Sequence, residues 1–397
     1  MTTEDPTYDL LVQDLKEYAC RDSDRQTLFD QAVASAVDPN NGGAEEMAAE
    51  NIKNLEDYFQ FCHNLLRWVP TVSSEGDELL RKILVFYWVL NQPSLAELQT
   101  SIEPDSIKKE PKWLSYWQVI YAREIGRFMS TRESTWGIQS FYNNTKYGAE
   151  SLKWQNEPPG GWASFNQFFS RQWRNIDEAR PLDLNDQPDD VIVSGADSEF
   201  EDSWPLADRE VNIKGVEWPI KTLLAGYDDD DDEAFLNGSF MHAFLSPADY
   251  HRQHAPVSGT VLEARVIQQQ VYLQVAKGPD NFGLVPDRRL IKYKPHVGDP
   301  RAVTAPDEAG YQWLQTRGLI VIQTETRGKV AVLPIGMAQV SSVVLTVKKG
   351  EKIEKGQEIS YFQFGGSDIV LVFEKEVEYC VDPGDKCKVR TRIATFK

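Results

Sequence analysis

The chain has 397 residues, 41% of them hydrophobic, so it can bury a sizeable core in two domains or in one large domain with an extension. Its 61 acidic and 42 basic side chains give a formal net charge of −19, which repels nucleic-acid phosphates and anionic lipid head groups and argues against both as bulk partners. No apolar run is long enough to span a bilayer, and the N-terminus lacks an apolar leader. We therefore expect a soluble, cytoplasmic protein without a membrane partner.

Residues 1–155 are predicted to form a helical N-terminal domain. The segments 55–69, 79–92 and 111–129 place apolar residues at three- and four-residue spacing, which is typical of amphipathic helices. A segment rich in Pro and Gly, 156–164, ends this pattern and indicates a domain boundary.

Residues 160–397 are predicted to form a β-rich domain, because short apolar runs alternate there with Gly, Pro and Asp turns. The predicted strands lie within 190–196, 209–215, 259–267, 270–276, 318–326, 329–337, 341–350 and 368–374. Together with the helical part, they predict an α+β fold. The acidic run 227–233 lacks the spaced ligands of a calcium loop and is predicted to be a solvated surface loop.

The four cysteines give no sign of a metal site. Cys20, Cys62, Cys380 and Cys387 form no CxxC pair, and no histidine stands at metal-ligand spacing from them. This usage is typical of reduced thiols in a cytosolic protein.

The segment 245–261 carries the strongest local signal for chemistry. His251 and His254 stand three residues apart between Pro247 and Pro256. The pair admits three interpretations: two surface histidines, two of the ligands of a zinc ion, or acid–base chemistry by side chains that titrate near neutrality.

Two further segments are candidates for catalysis. An apolar strand ends at Gly195 and delivers Asp197, a carboxylate that can fix the tautomer of a histidine. Gly365, Gly366 and Ser367 lie between two apolar runs and form either a tight turn or a strained carbonyl that the serine hydroxyl attacks. The chain has no GxGxxG at a strand–helix junction and no GxxxxGK[ST], so no nucleotide site is indicated.

Together these segments resemble the phosphatidylserine decarboxylase family of pyruvoyl enzymes. Residues 165–183 are similar to its FFxRxxR…RP signature, residues 245–259 to its most recognisable block, and residues 347–367 to its final Gly-Ser stretch. The chain departs from the family at Ser198, where a glycine is usual, and at Asp368, where a threonine usually follows the serine.

The resemblance implies that the chain cleaves itself between Gly366 and Ser367 into chains 1–366 and 367–397. Asp197, His254 and Ser367 match the family's cleavage triad, and His251 matches its second active-site histidine, a partner of the substrate carboxylate or a proton donor. Ser367 would become a pyruvoyl group that forms a Schiff base with the substrate amine, without pyridoxal phosphate. Because the family often forms dimers, a homodimer is also expected.

The departures, the helical extension and the acidic charge resemble a soluble fungal branch that decarboxylates amino acids such as tryptophan. We therefore expect a free amino acid as the substrate, with an aromatic one such as L-tryptophan as the first candidate. One alternative is the conversion of phosphatidylserine to phosphatidylethanolamine. Another is a relative that never matures, because the Asp368 carboxylate is unfavourable beside a nascent oxyanion. A third is a lipoyl- or biotinyl-type carrier, suggested by the glycine spacing in 343–359, although no lysine suited to modification stands there.

Overall fold

The computed structural model describes residues 9–73, 78–184, 189–207, 210–213, 216–227, 234–278, 283–286, 311–336, 342–364 and 366–397. They combine helices with antiparallel sheets, which confirms the predicted α+β class. The acidic run lies outside the described residues from 228 to 233. Among the described residues, no helix is both long and apolar enough to cross a membrane.

The helices are concentrated before residue 180. Their bounds are α1 Leu10–Ala19, α2 Ser23–Val37, α3 Ala44–Ala49, α4 Leu55–Leu65, α5 Glu78–Leu90, α6 Trp113–Phe128, α7 Ile138–Asn143, α8 Phe165–Phe169, α9 Ile176–Ala179 and α10 Ile220–Leu223. Side-chain caps fix several starts, as at α8, where the Ser164 hydroxyl accepts a hydrogen bond from the Gln167 backbone N–H at 3.1 Å. Helices α8 and α9 follow the predicted boundary at 156–164, and the division into domains stays a prediction.

The strands fill most of the described chain after residue 190. Their bounds are β1 Val191–Val193, β2 Ser198–Pro205, β3 Glu210–Ile213, β4 Val216–Pro219, β5 Ser239–Phe244, β6 Arg252–His254, β7 Gly259–Ile267, β8 Val275–Lys277, β9 Leu284–Pro286, β10 Arg317–Gln323, β11 Lys329–Gly336, β12 Val343–Leu345, β13 Lys352–Ile353, β14 Glu358–Phe362, β15 Gly366–Phe373, β16 Val377–Tyr379, β17 Lys386–Cys387 and β18 Arg392–Phe396. The strand predicted over 270–276 is mostly wrong, since β8 begins only at Val275. Strands β2 and β5 were not predicted.

An eight-stranded antiparallel sheet organises the β region. Its order is β13-β7-β10-β11-β15-β5-β2-β17, and smaller sheets have the orders β1-β18-β16 and β12-β14-β6. The chain therefore passes from the small sheet at β14 to the middle of the large sheet at β15. Gln363 and Phe364 follow β14 in this crossover.

Both faces of the large sheet are covered by apolar side chains. On β15, Ile369 and Leu371 belong to one buried cluster, whereas Val370 and Val372 belong to the other. This alternation is what a strand buried on both faces requires. A third cluster fills the helical part and reaches Phe364 in the crossover.

Candidate active site

The two predicted histidines lie on and beside the short strand β6. That strand pairs with β14, and His254 stands opposite Glu358. Both imidazole rings are buried, with only 1% of His251 and 4% of His254 exposed. The interpretation as a surface pair is therefore wrong. Among the described residues, no group of three His, Cys, Asp or Glu side chains is placed to hold a metal ion.

The His254 ring is held as a neutral base. Its Nδ1 lies 2.7 Å from the carbonyl oxygen of Gly356, so this nitrogen carries the proton and donates it. Nε2 is then an acceptor, and the hydroxyl of Tyr250 lies 3.4 Å from it. Burial lowers the pKa of His254 to about 4. At neutral pH the Nε2 lone pair can accept a proton.

The His251 ring is stacked against an aromatic helix. Its centroid lies 3.9 Å from that of Phe169 in α8, and its Nε2 donates to the Pro247 carbonyl at 3.3 Å. Nδ1 is left as an acceptor with no hydrogen-bond partner among the described residues. Burial, together with the nearby positive charge of Arg171, lowers the pKa of His251 to about 3.

Asp197 lies immediately before β2, and its carboxylate is paired with a cation. Arg180 donates from Nε to Oδ1 at 2.9 Å and from Nη2 to Oδ2 at 2.5 Å, and the backbone N–H of Val389 donates to Oδ1 at 2.8 Å. The ammonium of Lys388 lies 3.6 Å from Oδ2. Within the described structure, the partner that orients the His254 ring is thus Gly356, and the partner of Asp197 is Arg180.

Backbone contacts nevertheless bring the three predicted segments together. The N–H of His254 donates to the carbonyl of Gly195 at 2.8 Å. A Cβ at Gly195 would lie 2.7 Å from Cδ1 of Ile369 and 3.3 Å from the His254 carbonyl oxygen. A larger residue at position 195 would therefore have to displace the Ile369 side chain and press on the His254 carbonyl.

The predicted cleavage bond lies at the start of β15. Gly366 is the first residue of the strand and pairs with Gly336 of β11. Gly365 and the side chain of Ser367 lie outside the part of the molecule that the structure describes. The preceding residues are anchored, since Phe362 N–H donates to the His251 carbonyl at 2.9 Å and Phe364 N–H donates to Asn166 Oδ1 at 3.0 Å.

Sequence reasoning assigned no role to His242. On β5, its Nε2 lies 3.0 Å from Oδ2 of Asp368, and both side chains are fully buried. The sequence predicts that the Asp368 carboxylate is unfavourable beside the reacting serine. In the structure, this carboxylate has an ionisable partner, His242. No local motif marks His242, since its partner lies 126 residues further along the chain.

Arg180 and Arg171 also received no role from the sequence, although both lie within the signature at 165–183. Arg180 lies over the ring of Trp173 at 4.2 Å. Arg171 packs against the ring of Trp154 at 3.8 Å, and burial lowers its pKa to about 10. Their position within this signature is the sequence signal that could have marked them as functional candidates.

Comparison with known proteins identifies the family. Residues 165–395 match the phosphatidylserine decarboxylase family model. The chain is 32% identical over 222 residues to phosphatidylserine decarboxylase proenzyme 3 of Schizosaccharomyces pombe, covering 55% of this chain but only 20% of that protein. It is 29% identical over 292 residues to the phosphatidylserine decarboxylase proenzyme of Fusobacterium nucleatum, covering 71% of this chain and 81% of that protein. It is 26% identical over 266 residues to the L-tryptophan decarboxylase of Psilocybe cubensis, covering 64% of this chain and 57% of that protein. The chain belongs to the phosphatidylserine decarboxylase family.

Proposed function

We propose that this protein is a pyruvoyl-dependent decarboxylase that matures by cleaving itself between Gly366 and Ser367 and acts on a free amino acid. The observation that carries the proposal is the buried, neutral His254. Its Nδ1–H donates to the Gly356 carbonyl, which leaves Nε2 as the acceptor. The His254 backbone is bonded to Gly195, and Gly195 packs against Ile369 of β15.

In the proposed maturation, His254 Nε2 takes the hydroxyl proton of Ser367 as its oxygen attacks the Gly366 carbonyl carbon. The C–N bond breaks, the nitrogen gains a proton, and an ester links the two residues. Loss of the Ser367 Cα proton then breaks the Cβ–O bond and releases Gly366 as a carboxylate. One water converts the remaining enamine to a ketone and ammonia, so the balance is one water consumed and one ammonia released.

The surroundings of the Gly366–Ser367 bond suit a pyruvoyl group. Such a group supplies a ketone that condenses with the substrate amine and takes up the electron pair left by CO₂. The chain's own contribution is the buried Nδ1 of His251, an acceptor without a partner among the described residues, which can hold or return a proton. Phe169 keeps that ring in place, and burial keeps it neutral.

A cavity beside the crossover supports a small substrate. It has a volume of about 410 Å³, within the range of small-molecule sites, and lies between the end of α6 and the β region. Its walls include Arg123, Gly126, Ser130, Gln268, Thr316 and Gln363. Gln363 is three residues before Gly366, and Arg123 offers a positive charge to a carboxylate.

The acidic charge and the likeness to a tryptophan decarboxylase favour a free amino acid, with an aromatic one as the first candidate. Because other relatives bear the name phosphatidylserine decarboxylase, that phospholipid is the second candidate. We further propose a cytoplasmic location and a homodimer.

The experiment that tests the proposal is the intact mass of the denatured protein beside a Ser367→Ala control. We expect chains 1–366 and 367–397, the latter reactive toward hydroxylamine, whereas the control stays whole. CO₂ release from free amino acids and from phosphatidylserine vesicles then decides between the substrates. An uncleaved chain with no hydroxylamine-reactive carbonyl would refute maturation and leave a non-maturing relative.

A further inference from the structure

The His242–Asp368 pair joins two neighbouring strands at the site of the predicted cleavage. Asp368 stands opposite Phe244 in the β15–β5 ladder, and His242 stands opposite Val370, so the pair is diagonal across the two strands. His242 Nε2 lies 3.0 Å from Asp368 Oδ2 and 3.4 Å from the side-chain nitrogen of Gln312. All three side chains are fully buried.

The pair lies on the face of the sheet opposite His254. Along β15, Val370 shares the even positions with Asp368 and belongs to the cluster that contains Phe240 of β5. Ile369 lies on the other face, where its side chain approaches Gly195, the residue whose carbonyl accepts a hydrogen bond from the His254 N–H. The pair is therefore placed to act on the strand backbone and not on the proton that His254 accepts.

Burial of such a pair is not explained by stability. Taking two ionisable groups out of water costs about as much as their attraction returns, and apolar residues of similar size are often as stable. The neighbouring positions Val370 and Val372 show that this face of β15 accepts apolar side chains. A polar pair at the first position where β15 pairs with β5 therefore indicates a specific role.

The position of Asp368 suggests that role. Once the bond before Ser367 is cut, the group made from Ser367 is carried by the backbone nitrogen of Asp368. New chain ends fray unless they are tied down. The ladder holds Asp368 against Phe244 on one side and Ile335 on the other, and its side chain adds the anchor to His242.

We propose that the His242–Asp368 pair is a positioning device that fixes the first residues of the small chain after cleavage, so that the ketone keeps its orientation. This inference rests on the proposed function.

The test uses Asp368→Asn in the full chain, with Val370→Ala as a matched control on the same face of the same strand. We expect Asp368→Asn to cleave fully and to carry one hydroxylamine-reactive carbonyl per small chain. The carbonyl of the cleaved variant should react with hydroxylamine about fivefold faster or more because its chain end is looser, and kcat should fall about tenfold with little change in KM. Val370→Ala should lose thermal stability while keeping the wild-type labelling rate.

A swapped pair, His242→Asp with Asp368→His, should restore part of the slow labelling and of kcat. If Asp368→Asn fails to fold, Asp368→Thr is measured in its place, since threonine suits a β-strand and has no carboxylate for His242 to hold. Wild-type labelling and kcat in a cleaved variant would overturn the inference, and so would a folded variant that fails to cleave. If the unaltered protein stays uncleaved, the proposed function itself fails and the inference falls with it.

Discussion

Replacing Arg180 by methionine should destabilise the chain strongly, because Asp197 depends on it. Asp197 is 1% exposed, and the guanidinium supplies two short charged hydrogen bonds at 2.9 and 2.5 Å. After Arg180→Met, the carboxylate keeps one backbone donor at 2.8 Å and the Lys388 ammonium at 3.6 Å. Removal of one partner of a buried ion pair costs about 3–5 kcal/mol, since the other charge is left buried without compensation.

The measurement is the free energy of unfolding in urea, with circular dichroism as the signal that monitors unfolding. It is made in the Ser367→Ala background so that every variant is one continuous chain. Adding Asp197→Asn removes the stranded charge, so the double variant should recover about 2 kcal/mol relative to additivity. Lys388→Met is the matched control, because its side chain is half exposed and should contribute less than about 1 kcal/mol.

Two results would refute this reasoning. One is an Arg180→Met chain within about 1 kcal/mol of its parent, which would show that the pair is not the main compensation for the buried carboxylate. The other is strict additivity in the double variant, which would show that the loss arises from packing against Trp173 and not from charge.

Four further predictions concern the candidate site and the residues around it. His254→Gln should slow self-cleavage about a hundredfold or more, because it removes the Nε2 base, and a time course on a denaturing gel that matched the wild type would contradict this. The uncleaved Ser367→Ala chain should lose free energy of unfolding as the pH falls from 6.5 toward 4. The fold lowers the pKa of His254 to about 4, so in this range the unfolded chain binds the proton more readily than the folded one. The neutral form of His254 thus contributes about 3 kcal/mol above pH 6.5, and this contribution is lost as the pH falls through 4. Burial raises the pKa of Asp249 to about 6, which favours its protonated form in the fold, so Asp249→Asn should make the loss of urea stability below pH 6 steeper; an unchanged profile would oppose this. Gly195→Ala should cost about 1–3 kcal/mol and slow cleavage, and adding Ile369→Val, which removes the clashing Cδ1, should restore both; a double variant no better than the single one would contradict the steric argument.

The local part of the site was readable from the sequence, and the long-range part was not. Motifs at 245–259 and 347–367 allow His251, His254 and the Gly366–Ser367 bond to be predicted as site components, because each lies in one continuous segment. The structure brings these segments together through β6 and β14. The pairing of His242 with Asp368 depends on the neighbourhood of β5 and β15, and strand order in an antiparallel sheet is set by contacts between residues far apart in the chain.

The topology is also compatible with a cut that leaves the proposed site in place. The proposed cleavage bond follows Gly366 at the start of β15, after the chain has passed from the small sheet, which contains His254, to the large sheet. On the large-chain side, Phe362 and Phe364 are held by His251 and Asn166. On the small-chain side, β15 pairs with β11 from Gly366 to Phe373 and with β5 from Asp368 to Phe373. A cut at the proposed bond would remove one covalent link between two anchored segments, and the hydrogen bonds that hold Phe362, Phe364 and β15 do not depend on that link.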